Sequence, residues 1–168
     1  IFITALLIQF INPNLFLSLI AVFSFYLAMS GWLRAKNRSG IAITTEWSCA
    51  FTMLIASVVM VVFGWMLMIS DDRMGVVLIV FAFIGGGFAA AELLALRGNA
   101  YTGTNRIASH VSRMLGGSIS TVTAFAVVNI DLGERNWIVW LAPTVAFVPL
   151  IVYWNIRVRS TDKGISTG

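Results

Sequence analysis

Two residues in this 168-residue chain carry chemistry that their apolar surroundings make expensive. Glu92 stands in the run Gly-Gly-Gly-Phe-Ala-Ala-Ala-Glu-Leu-Leu-Ala-Leu-Arg, residues 85–97, and His110 is the one histidine. A carboxylate and an imidazole separated by a short connection can pass protons or flank a haem or quinone between helices. A membrane haem of the b type commonly takes two axial histidines and this chain supplies one, so His110 is the single candidate cofactor ligand. The structural alternative pairs Glu92 with Arg106, His110 or Arg113 of the following helix, and it is the expectation adopted. One His, one Cys and seven acids, mostly in turns, assemble no metal set and no nucleophile–base pair. Catalytic and metal-ligating residues are therefore expected to be none.

The composition explains why one acid stands out. The chain is 59% hydrophobic and 11% charged, with mean hydropathy +0.91, whereas soluble domains carry roughly 25% charged residues. Disordered, nucleic-acid-binding and ordinary soluble classes are excluded, leaving membrane lipid as the expected surroundings. A crossing needs about 20 apolar residues for roughly 30 Å of hydrocarbon. The pattern predicts an all-α polytopic bundle in a single domain, with five full crossings at about 15–33, 47–70, 75–96, 106–130 and 137–156. Residues 1–11 are expected to be the tail of an incomplete crossing. Asn12 before Pro13 suits the start of the first full helix, and Thr44-Thr45-Glu46 suits a cap with an acid on the positive end of the second.

The basic residues predict orientation. Nine of the eleven lie at alternate ends: Arg34, Lys36, Arg38, Arg97, Arg106, Arg113, Arg157, Arg159 and Lys163. Only Arg73 and Arg135 lie at the opposite ends. The positive-inside rule then places the nine, and the C-terminus, in the cytoplasm. Trp32, Trp47 and Trp154 fall at the inner boundary and Trp137 and Trp140 at the outer, as an aromatic belt does; Trp65 is expected deeper, as packing.

The remaining signals concern helix contact. Gly86 with Ala90, and Gly87 with Ala91, form small-xxx-small pairs that let a neighbour approach. Gly116, Gly117, Ser118, Ser120, Thr121 and Thr123 make a polar half of the next helix, suited to bonds across helices or to lining a path. Asn129 is expected to cap or to bond a neighbouring helix. Pro143 and Pro149 each remove a backbone donor from the last helix and are expected to kink it. Transporters use such interruptions as sites, but no matching interruption occurs elsewhere in the chain.

Three stretches resemble a family of bacterial predicted multi-pass membrane proteins of unknown function. They are Asn12-Pro13-Asn14-Leu15-Phe16-Leu17 through Phe23 to Trp32, His110-Val111-Ser112-Arg113-Met114 through Thr121 to Asn129, and Trp140-Leu141-Ala142-Pro143-Thr144. Members carry a further N-terminal helix followed by a His-Arg pair, which this sequence lacks. The resemblance implies a bacterial inner membrane and no particular activity. The expected function is that of a small non-enzymatic membrane protein, an accessory subunit packing among other membrane protein subunits and lipids, with no resident cofactor and no nucleic acid. The alternatives are a redox or proton-handling protein using Glu92 and His110 with haem or quinone, and a small-solute transporter.

Overall fold

The computed structural model describes residues 14–37, 41–98 and 103–165, with side chains omitted for 103–108, 155 and 157–165. The expected partial helix at 1–11, with Asn12 and Pro13, lies outside them. Five long helices follow: α1 (Leu15–Lys36), α2 (Thr44–Ile69), α3 (Met74–Arg97), α4 (Gly103–Asn129) and α5 (Asn136–Ile165). All five contain stretches long and apolar enough to cross a membrane, and no strand is found among the described residues. The chain is a multi-pass helical membrane protein.

Helix ends differ from expectation where polar side chains take over from apolar pattern. The cap of α1 is Asn14, whose Oδ1 accepts the Leu17 N–H at 3.2 Å, satisfying one orphan donor of the first turn. α2 starts at Thr44, before the expected 47, because Glu46 folds back to accept the Ile43 N–H at 3.1 Å. α4 begins at Gly103 and α5 runs to Ile165, so both reach beyond the apolar runs that announced them.

α2 shows how lipid reshapes a helix. Phe51, Ile55, Val58, Val62, Trp65 and Ile69 recur at helical spacing and are all exposed. In water this stripe would face a core; here the outward face is as apolar as the inward one, the mark of a helix in lipid. Trp65 is on this stripe, one turn from the helix end, so it is a boundary residue. Trp140 is buried instead, meeting Phe16 edge-on with ring centroids 5.0 Å apart.

α2 and α3 form the most extensive helix pair, α4 packs on α1 and on α5, and α1 lies between the two hairpins. The buried stripe of α3 is Leu78, Ala82, Gly85, Ala89, Glu92 and Leu96. Gly85 is thus the glycine that permits close approach: a Cβ there would strike Met53 and would lie 2.9 Å from Phe23. Gly86 also faces a neighbour, since a Cβ there would lie 3.2 Å from Ser57 Oγ, whereas Gly87 meets nothing within 4 Å and Ala90 is exposed. The tightest seam is therefore Gly85–Ala89, one residue around the helix; of the expected Gly86–Ala90 pair only Gly86 meets a neighbour, and Gly87 and Ala91 face outward.

The tight ends of α2 and α3 are held by Gly64 and Gly75. A Cβ on Gly64 would come within 2.8 Å of the Gly75 carbonyl oxygen, and one on Gly75 would collide with the Gly64 carbonyl. At the same end of the bundle, the Asp131 carboxylate accepts the Gly133 N–H and the Asn136 Nδ2, both at 2.9 Å. These bonds hold its carboxyl below the usual carboxylate range, the Gly133 N–H first.

Two outcomes follow from these contacts. Gly75→Ala should lower stability by roughly 1–3 kcal/mol, as overpacking does, while Gly87→Ala should leave the detergent melting temperature unchanged or raised. For Asp131 the folded value lies below the unfolded one, so its contribution is present above about pH 4 and is lost as pH falls further. Amide exchange at Gly133, extrapolated for intrinsic rate, should therefore accelerate on acidification below that pH in the wild type and be pH-insensitive in Asp131→Asn.

Candidate functional site

The polar residues that matter lie together at the arginine-rich end of the bundle. Tyr26, Ser30 and Arg34 recur every four residues on α1 and are all buried. That spacing puts them in one row along the helix. Glu92 sits on the buried stripe of α3, about 7 Å of helix rise before Arg97. Arg113 comes from α4 and Glu46 from the third residue of α2. All four charged residues are almost fully enclosed, with 1% exposure for Arg34, 0% for Glu46, 1% for Glu92 and 3% for Arg113.

Glu92 is the centre. Its Oε1 accepts Arg34 Nη2 at 2.8 Å, and its Oε2 accepts Arg113 Nη1 at 2.6 Å and the Tyr26 hydroxyl at 2.9 Å. Arg34 uses its other terminal nitrogen, Nη1, on Glu46 Oε1 at 3.1 Å. Glu46 also accepts from Asn37 Nδ2, at 3.2 Å to its Oε2, and from the Ile43 N–H. Asn37 in turn donates to the Ile41 carbonyl at 2.7 Å, fastening the connection between α1 and α2. Two guanidiniums and two carboxylates are thus matched, so the cluster is formally neutral.

Neutrality is what lets such a cluster exist here. A lone charge at the bilayer centre costs ~2.5–3.5 kcal/mol even on lenient insertion scales, and burial strips away the hydration that would offset it. Short charge-assisted bonds on both Glu92 oxygens replace that hydration. The arrangement joins four helices through side chains alone.

His110 stands beside the cluster without entering it. Its Nδ1 lies 2.8 Å from the Gly31 carbonyl oxygen. A carbonyl only accepts, so Nδ1 carries the proton in this bond and the lone pair of the neutral ring is on Nε2. Gly31 itself admits α4 closely: a Cβ there would strike Met114 and would lie 3.3 Å from Arg113 Cβ. Glu92 accordingly pairs with Arg113 and not with His110, while the Arg106 side chain lies outside the described residues.

The other expected polar residues are not gathered into this site. The Thr121 hydroxyl donates to the Gly117 carbonyl at 3.3 Å, the Ser118 hydroxyl to Met114 at 3.0 Å, and the Asn129 amide Nδ2 to the Phe125 carbonyl at 2.7 Å. These bonds stay within α4, because that face of the helix is turned outward. Thr123 and Ser120 have buried hydroxyls with no partner among the described residues. Gly117 meets nothing within 4 Å. α5 continues as helix through both prolines, Pro143 buried and Pro149 exposed.

Tyr26, Arg34, Asn37 and Glu46 are the members that sequence reasoning missed. Arg34 and Glu46 flank a polar connection, where their types read as orientation and capping. The four-residue row Tyr26–Ser30–Arg34 was the available signal. No protein-family model, curated protein sequence or solved structure matches this chain.

Removing one partner tests the cluster. Glu92→Leu and Arg113→Met should each cost roughly 3–5 kcal/mol, because each leaves an uncompensated buried charge. The double variant keeps the Arg34–Glu46 pair and restores neutrality, so it should lose less than the sum by about 1–3 kcal/mol in detergent unfolding. Additive losses would contradict the geometry.

Proposed function

We propose that this chain is a non-enzymatic, structural protein of a bacterial inner membrane, an accessory subunit that packs against other membrane subunits. The supporting observation is the use to which its costly residues are put. Tyr26, Arg34, Glu46, Glu92 and Arg113 bond to one another and to adjacent backbone, joining α1, α2, α3 and α4. Side chains committed in this way rigidify a scaffold. The resemblance to bacterial multi-pass proteins of unknown function and the excess of Lys and Arg at one end support the same setting, with that end in the cytoplasm.

The second reading, proton or redox handling with haem or quinone, is favoured by one observation. The Nδ1–Gly31 bond fixes the His110 ring and leaves Nε2 as a lone-pair donor, the arrangement that orients a metal-bound histidine. The two readings separate in one preparation. Purification at native expression level in mild detergent should recover defined partner subunits in fixed ratio and no Soret absorption. A monodisperse lone monomer would contradict the accessory role, and a Soret band lost in His110→Ala would establish the second reading.

A further inference from the structure

A cleft of about 430 Å³ opens between α3 on one side and α4 and α5 on the other, with Phe23 and Leu27 of α1 as its floor. Its size falls within the usual range of ligand sites, about 300–1,000 Å³. Gly87 and Ala91 of α3 line it, as do Gly116 of α4 and Val148 of α5. Ser112, Ser120 and Thr144 bring hydroxyls to the wall, but most of the lining is carbon, and an empty apolar cleft forfeits dispersion contacts. Surrounding lipid supplies the material that fits: an acyl chain.

Length and charge narrow the occupant. Along α3 the lining runs from Phe81 to Ala91, about 15 Å of helix rise, or half the hydrocarbon thickness of roughly 30 Å. That is a length one acyl chain can cover. The lining ends nearest the arginine-rich side are Ala91, Ser112 and Val152. About one and a half turns beyond them the three helices place Arg97, Arg106 and Arg157, with Arg159 following on α5. Glu92 is committed to its own cluster, and the other acid near these helix ends is Asp162. Arg97 is exposed.

We propose that this cleft is a binding site for an anionic phospholipid, one acyl chain lying against Gly87 and Gly116 and the phosphate drawn to the basic end of the bundle, where Arg97 is exposed and α4 and α5 carry further arginine positions. Basic positions between transmembrane helices are a recurring way of holding such headgroups. The site is independent of the accessory role, since a lipid is bound whether or not protein partners are present.

Native mass spectrometry of the full chain in detergent, titrated with phosphatidylglycerol or phosphatidylcholine, tests this. Phosphatidylglycerol should form a one-to-one adduct at about tenfold lower concentration than phosphatidylcholine. Arg97→Ala with Arg106→Ala should abolish that preference and leave phosphatidylcholine binding unchanged. Gly87→Leu, placed where a Cβ has open space, should weaken both lipids while the melting temperature is retained. Equal binding of the two lipids, or binding indifferent to Gly87→Leu in the folded protein, would overturn the proposal.

Discussion

A charge in hydrocarbon must be matched by an opposite charge and by hydrogen bonds, and the requirement falls here on Glu92. Its two oxygens take three donors, from Arg34, Arg113 and Tyr26. Because those donors stand on two other helices, meeting the requirement sets the relative positions of α1, α3 and α4 at one end. Arg34 then extends the constraint to α2 through Glu46. Apolar contact alone would be a weak guide, since lipid tails are as apolar as the helices they surround.

The rest of the bundle serves this constraint at a distance. Gly31 brings α1 and α4 close enough for Arg113 to reach Glu92, and Gly85 does the same for α3 against α1 and α2. At the other end the Gly64–Gly75 contact closes the α2–α3 pair. α5 has no member among the described bonds of the cluster and is held chiefly by α4. The apolar cleft lies where α3 and α4 are bridged by Glu92 and Arg113 but leave space above the bridge.

Membrane crossing was legible from sequence because each apolar run is long enough by itself, whatever its neighbours do. The Glu92–Arg113 pair is legible too, since the two residues flank one connection. Arg34 and Glu46 are not, because pairing a helix end with a third helix depends on packing that no local pattern encodes. The glycine triplet alone does not show which member is deepest, because three consecutive residues point in three directions about 100° apart. Only the frame Leu78–Ala82–Gly85–Ala89–Glu92–Leu96, spaced alternately by four and three, selects Gly85 as the buried one. The hydroxyl type of α4 suits bonds across helices or the lining of a path, whereas Ser118 and Thr121 bond within their own helix.

One carboxylate, deep in the bundle, is bonded to guanidiniums from two different helices. Magic-angle-spinning NMR in lipid bilayers reads this directly, through dipolar coupling between the carboxyl carbon of Glu92 and arginine side-chain nitrogens. Two strong couplings are expected, one lost in Arg34→Lys and the other in Arg113→Lys, in keeping with N–O separations of 2.8 Å and 2.6 Å. A Glu92 carboxyl with no arginine nitrogen within about 5 Å, well outside hydrogen-bond reach, would contradict it.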